Sequence, residues 1–418
     1  MNKNNLRATY WIETGTDPEK AAAVMAGEQS SGTFVKVEAE SEELVRAHGA
    51  EVVSVRPTGE QRQPSLPGAA PAKDGLYRQA IVEIDFPVAN IGHSLPALQT
   101  MLAGNLFELH PFSGLRLLDF HLPPEFIDAC PGPRFGINGT RHLAGVEKGP
   151  LLGTIIKPSV GLSMEETARL CGRCAAVGLD FIKDDELMGN APYSTVQDRI
   201  GRVLPAIAGN DRRASGRTLY AVNISDLPDE MKRHHDVVKA AGGNCVMVNL
   251  ISVGLAGILA LRQHSELPIH GHRNGWGALS RCPALGFSYP ALQKFWKLAG
   301  VDHLHVNGLR NKFCEDDESV LASARAVQQP QGGCRGAMPV FSSGQWVDQV
   351  EDTYLRMGNA DLLYVCGGGI WAHPGGPEAG VTALRAAWKG VMQGQSLADL
   401  RTSVAEIDDA YATFTGKS

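Results

Sequence analysis

The stretch GTIIKPSVGLSMEETARLCGRCAAVGLDFIKDDE, residues 153–186, holds a β-run, a helix and a second β-run, and each run is followed at once by a lysine. Gly153–Ile156 and Leu179–Ile182 are short and apolar, whereas Met164 to Gly178 carries helical spacing. Units of this kind build parallel sheets, because a parallel strand pair needs a crossover long enough for a helix. Side chains alternate along a strand, so Lys183 and Asp185 share a face and Glu186 lies just past the strand end, where a turn brings it inward. Oxygen donors crowded there suit a hard cation such as Mg²⁺. A lysine amine is a poor ligand for it unless converted to an anion, such as a carbamate formed with CO₂. Taken alone, Leu179–Glu186 also reads as a solvated charge run at a strand end.

Outward from this unit the pattern repeats. Further β-runs are Leu219–Val222, Cys245–Val248, Leu267–Ile269, His303–Val306, Met338–Phe341 and Leu362–Val365, with helical segments between them. Eight such runs in about 250 residues predict a (β/α)8 TIM barrel. Lys157, Lys183, Asn223, Asn249, His272, His305, Ser342 and Gly367 all fall at or just after the C-terminal ends of the runs, the face where barrel enzymes place their sites. Upstream, Ala8–Ile12 and Arg78–Phe86 alternate, Thr33–Val37 reads as extended, and Pro18–Ala26 and Ser94–Leu102 read as helices. A small α+β domain over 1–128 is expected, joined at the Pro/Gly-bearing Cys130–Gly136 to a barrel over 129–418 with a C-terminal helical extension.

The 418 residues are enough for two domains, and 43% hydrophobic with 20% charged residues is ordinary for a globular protein. A net charge of −6 argues against nucleic acid or an acidic membrane surface as partner. Met1–Tyr10 lacks the apolar core of a signal segment and no apolar run reaches membrane-spanning length, so a cytoplasmic protein is expected. The eight cysteines lack the spacing of a disulfide scaffold, and the Cys171/Cys174 pair lies within a helix, where packing is the better reading.

Other candidates gather at the same face. Lys157 follows the first run; taken alone it reads better as a surface lysine, and beside a cation as a proton donor or acceptor. His270-Gly271-His272-Arg273 and His305 offer imidazoles and a guanidinium, which suit a phosphate. A two-histidine metal site competes with that reading, but the adjacent oxygen cluster weighs against it. Ser342-Ser343-Gly344 and Gly367-Gly368-Gly369 follow the last two runs, where barrels hold phosphate on backbone amides.

Together these segments resemble the RuBisCO superfamily: Gly27–Phe34 and Gly104-Asn105, then GTIIKP, GLDFIKDDE, HGHR, DHLHVNG, PVFSSG and GGGIWAHP. The resemblance implies a ferredoxin-like N-terminal domain before the barrel, Mg²⁺ as cofactor, and Lys183 as a carbamylated ligand beside Asp185 and Glu186. It further implies Lys157 as the proton-transfer lysine, His272 on substrate oxygens, and Arg273 with His305 on one phosphate. Thr33, Ser342, Gly344, Gly367 and Gly368 would serve the other anionic end. Glu28 and Asn105 would be lent by a partner subunit, which implies at least a homodimer.

The departures are informative. Carboxylases carry a second lysine where this chain has Ser159, a tryptophan where it has Phe34, and a second histidine within what is here Asn274-Gly275-Trp276. The sixth loop, Val306–Phe313, contains Lys312 but with different neighbours. These changes resemble RuBisCO-like proteins that keep enolate chemistry without CO₂ fixation. The methionine-salvage enolase has a lysine base where this chain has Asn105, and HGHRNGWG with HVNGLRNKFCE is more similar to sugar-acid catabolic members. The expectation is a lyase that decarboxylates a 3-oxo sugar-acid phosphate such as 3-oxo-isoapionate 4-phosphate. An enolase or isomerase on a ketose phosphate is the alternative, and a non-catalytic binding or stress-related protein the third reading.

Overall fold

The computed structural model describes residues 4–31, 37–211, 213 and 215–415. Thr33 and most of the Thr33–Val37 run lie outside them.

Thirteen strands are present among the described residues, and two compact units share them. The first unit comprises residues 1–130, 275–298 and 331–334; the second comprises 131–274, 299–330 and 335–418. In chain order, β1 (Asn5–Thr14), β2 (Glu51–Gln61), β3 (Tyr77–Pro87) and β4 (Phe112–His121) belong to the first unit. The strands β5 (Leu151–Ile155), β6 (Phe181–Lys183), β7 (Leu219–Asn223), β8 (Cys245–Asn249) and β9 (Ile269–His272) follow in the second. The chain then contributes β10 (Leu285–Phe287) to the first sheet before β11 (His303–His305), β12 (Met338–Phe341) and β13 (Leu363–Val365) complete the second.

The first sheet has the order β10-β4-β1-β3-β2. Its antiparallel part, β4-β1-β3-β2, with helices 18–28 and 95–103 in the crossovers, is the ferredoxin-like arrangement expected. Leu6, Ala8, Tyr10 and Ile12 of β1 are buried at every second position, as are Ala80, Val82, Ile84 and Phe86 of β3. The Tyr10 hydroxyl donates to Leu102 O at 2.9 Å and so ties helix 95–103 to the sheet.

The second unit is a closed barrel of eight parallel strands, β5 through β9 followed by β11, β12 and β13. Its interior is packed by Leu151, Phe181, Leu219, Ala221, Cys245, Met247, Met338, Val340, Leu363 and Val365, each 0–1% exposed. Gly153 belongs to that packing, since a Cβ there would stand 3.1 Å from the Phe181 Cβ. The next inward position carries a polar side chain on six of the eight strands or just past their ends, Lys183, Asn223, Asn249, His272, His305 and Ser342, with Ile155 and Gly367 at the other two. Period-two alternation thus delivers a mostly apolar filling below, with His270 and His303 packed against Phe181, and polar groups above.

One buried ion pair shapes the loop after β6. Asp184, the first of the three consecutive carboxylates, turns away from Lys183 and meets Arg199 Nη2 at 3.1 Å and the Tyr220 hydroxyl, all fully buried. Arg199 Nη1 also donates to Ser194 O at 2.6 Å, which holds the returning loop. Arg199→Met leaves the Asp184 charge buried without its partner and should cost about 3–5 kcal/mol. Denaturant unfolding checks this, and a loss below about 1 kcal/mol would show the pair to be dispensable.

Candidate active site

Lys183 is completely buried, and its ammonium donates to Asp184 O at 2.7 Å and lies 3.9 Å from Glu186 Oε2. Burial pulls its pKa down to about 8, against the opposing pull of Glu186, Asp185 and Asp184. Asp185, 1% exposed, accepts from Lys157 Nζ at 2.6 Å. Burial pushes the Asp185 carboxyl up, but the Lys157 hydrogen bond, the Leu187 amide and the charges of both lysines outweigh it and leave the group below the usual range. Lys157 also donates to Ser159 Oγ at 2.8 Å, so the residue that departs from the carboxylase pattern helps to orient this lysine.

The two carboxylates are steered from the neighbouring strand ends. Asn223 Nδ2 donates to Asp185 O and Glu186 O, both at 3.2 Å, and Asn249 Nδ2 donates to Glu186 O at 2.9 Å. Ser225 Oγ links the two asparagines, donating to Asn223 Oδ1 at 2.7 Å and accepting from the Asn249 amide at 2.8 Å. Both asparagines stood out in the sequence only by position, and the structure gives them a scaffolding task.

His272 faces the same cluster, with Nε2 3.5 Å from Glu186 Oε2 and Nδ1 accepting from the Asn274 amide at 3.3 Å. Burial first, then the Lys183 charge, push it down to about 3, so the ring is neutral with its proton at Nε2. His305 packs against it with ring centroids 4.5 Å apart. The His305 ring nitrogens face His270 Nε2 at 2.8 Å and Ser342 Oγ at 3.0 Å.

Arg273 pairs with Glu315, a residue that sequence reasoning did not single out although it ends the quoted HVNGLRNKFCE segment. Glu315 also accepts from Asn307 Nδ2 at 2.7 Å and Ser319 Oγ at 2.8 Å. Ser343 Oγ donates to Asn307 Oδ1 at 2.7 Å, so the sixth and seventh loops are stitched together. Lys312 joins them through its amide, which donates to Ser343 O at 3.1 Å, while its exposed ammonium lies over the Phe313 ring. Gly344 has φ +95°, a conformation that favours glycine, and Gly367 precedes the short helix Gly368–Trp371.

In the first unit Glu28 ends helix 18–28 and Asn105 opens a 3₁₀ turn, and both are exposed. Their segments meet: Gln29 Nε2 donates to Thr100 O at 3.3 Å, directly beside Gly104.

The family model described as ribulose bisphosphate carboxylase large chain, catalytic domain, matches residues 136–414, and its N-terminal domain counterpart matches residues 1–126. The chain belongs to the RuBisCO large-chain family. It is 53% identical to the 3-oxo-isoapionate-4-phosphate transcarboxylase/hydrolase of Xanthobacter autotrophicus, over 94% of this chain and 95% of that one. It is 44% identical to the 3-oxo-isoapionate-4-phosphate decarboxylase of Rhizobium etli, over 96% and 98% respectively. Among solved structures, a rubisco-like protein from Burkholderia fungorum superposes with a TM-score of 0.92 at 41% identity, covering 98% of this chain and all of that one. The dimeric archaeal RuBisCO of Hyperthermus butylicus superposes with 0.86 at 27% identity, covering 99% and 96%. Among the described residues, no helix of this RuBisCO-family chain is long and apolar enough to cross a membrane.

Proposed function

We propose that this chain decarboxylates a 3-oxo sugar-acid phosphate, of the kind represented by 3-oxo-isoapionate 4-phosphate. The observation that carries the reading is the 44–53% identity, over nearly full length, to proteins named for that substrate, in a chain whose Lys157, Lys183, Asp185 and Glu186 converge at one barrel mouth.

The residues fit Mg²⁺. Two carboxylates stand beside an amine that burial has stripped of water and moved toward its neutral form, the form that reacts with CO₂ to give an anionic carbamate. Lys183 as carbamate, with Asp185 and Glu186, would hold the cation. When bound, Mg²⁺ supplies a Lewis acid that draws electron density from the 3-oxo carbonyl. The protein's own part follows from its hydrogen bonds. Asn223 and Asn249 orient the carboxylate-bearing loop, and neutral His272 offers its Nε2 proton to a substrate oxygen. Lys157, held by Asp185 and Ser159, delivers a proton to the carbon that has lost CO₂. Arg273 and His305 are assigned to one anionic end, and Ser342, Gly344, Gly367, Gly368 and Thr33 to the other. In a homodimer each chain would lend Glu28 and Asn105 to the other's site. A cytoplasmic location agrees with eight free thiols.

The name of the 53% relative favours a second reading, in which the carboxyl group is transferred rather than released. Carboxyl-labelled substrate separates the two. Label in CO₂ or bicarbonate supports decarboxylation, and label retained in an organic acid supports transfer. A panel of 3-oxo sugar-acid phosphates and ketose phosphates, offered to protein treated with Mg²⁺ and bicarbonate, tests the substrate class. With Ser159 in place of a second lysine, the group expected to hold an incoming carboxylate is missing. Ribulose 1,5-bisphosphate with labelled bicarbonate is therefore expected to yield no labelled 3-phosphoglycerate, and its detection would refute this.

A further inference from the structure

The proposed chemistry uses only the upper rings of a longer buried series. Thr140, on the helix Gly136–Ala144, lies 2.8 Å from His303 Nε2. His303 Nδ1 faces His270 Nδ1 at 3.4 Å, His270 Nε2 faces His305 Nε2 at 2.8 Å, and His305 Nδ1 faces Ser342 Oγ at 3.0 Å. The three rings are 0–3% exposed, and burial pushes each pKa down, that of His303 to about 3. All three are neutral, with one donor and one acceptor nitrogen apiece.

The series has a direction, set at its lower end. The Thr140 hydroxyl donates to Gly136 O at 2.5 Å, so toward His303 it can only accept. His303 therefore carries its proton on Nε2 and a lone pair on Nδ1. At 3.4 Å the contact with His270 is a weak bond, but two facing lone pairs would repel, so His270 carries its proton on Nδ1. His270 Nε2 is then an acceptor, which makes His305 Nε2 a donor and His305 Nδ1 an acceptor. Ser342 must donate inward. Ser343, whose own proton goes to Asn307, stands 3.4 Å from Ser342 Oγ and is the poorer acceptor.

We infer that Thr140 is a positioning residue which, through His303, His270 and His305, commits the Ser342 hydroxyl proton inward and leaves its oxygen an acceptor at the end of β12. Resting on the reading of this mouth as the substrate site, the inference narrows what Ser342 can hold. It takes a substrate hydroxyl and disfavours a phosphate or carboxylate oxygen, which moves Ser342 off the anionic end assigned to it above and leaves that end to backbone amides; His305, both of whose ring nitrogens the series uses, likewise leaves the other anionic end to Arg273. His272 stands outside the series, its Nδ1 engaged by the Asn274 amide.

Long-range ¹H–¹⁵N spectra of ¹⁵N-histidine-labelled protein distinguish the two neutral tautomers directly. The expected pattern is Nε2–H for His303 and His305 and Nδ1–H for His270; Nδ1–H at His305 overturns the inference. Thr140→Val, of nearly the same shape, removes the lower acceptor. It is expected to reverse the three tautomers and to lower kcat/KM roughly tenfold through KM, as one misdirected hydrogen bond would. Thr140→Ser should restore both. Unchanged tautomers in a folded valine variant, or reversal with KM unaltered for a hydroxyl-bearing substrate, overturn it. If the valine variant does not fold, the wild-type spectrum still decides. The expected tautomers in a protein inactive on every 3-oxo acid would sink the functional reading and leave the series standing.

Discussion

Lys183→Met protein, treated with Mg²⁺ and bicarbonate, is expected to lose turnover of a 3-oxo sugar-acid phosphate by more than about 10²-fold while keeping its fold. That is the upper end of what losing a supporting partner of a metal ligand costs, and Lys183 is proposed as a ligand itself. Methionine fills the fully buried space more nearly than alanine, so circular dichroism should be unchanged. The wild-type protein should also show a pH signature. Carbamylation joins the amine nitrogen to CO₂ and releases a proton, so it needs the neutral amine. With a pKa of about 8 the neutral form is about a tenth of the molecules at pH 7; it rises about tenfold per unit below that, reaches about half at pH 8 and levels off above about 9. Activation by bicarbonate should follow that curve upward with pH and plateau. A rise centred near the ordinary lysine value, or full activity in Lys183→Met, would remove the carbamate from the proposal.

The second large effect is expected at Lys157. Its ammonium is the donor held by Asp185 and Ser159, and losing a general acid costs on the order of 10²–10⁴ in rate. If loss of CO₂ generates the enediolate, Lys157→Met should still release some CO₂ while failing to protonate the carbon stereospecifically. Wild-type protein in D₂O should place one deuterium there. An enolase whose base is Lys157 would instead lose its first step in the variant. Rapid exchange into a ketose phosphate that lacks a carboxylate, with no CO₂ from any 3-oxo acid, would assign the chain to the isomerases.

Much of the barrel was legible because its signals are local. Apolar runs of three or four residues separated by helical spacing mark parallel strands, and the residue at each run's end is read off directly. That reading placed Lys183, Asn223, Asn249, His272, His305 and Ser342 at strand ends, where the structure has them. It read the fifth run as Leu267–Ile269, whereas the strand is Ile269–His272, because the inward residues of β9 are imidazoles and the apolar signal stops early. β2 was missed for the opposite reason: none of its eleven residues is buried, so no alternation marks it. β10 was hidden by its length of three residues and by a partner, β4, that lies far away in sequence.

Side-chain partnership was decided by the tertiary structure alone. Asp184, Asp185 and Glu186 are three adjacent acids in the sequence. Only folding sends Asp184 outward to Arg199 and Tyr220 and turns Asp185 to Lys157. The pairing of Arg273 with Glu315, and the direction of the proton on Ser342 set from Thr140, likewise join residues that lie 42 or more positions apart. A strand's period is carried by its own backbone geometry. The charge state and hydrogen-bond direction of a buried group depend on which partners folding places within about 3 Å, where water is no longer available to substitute for them.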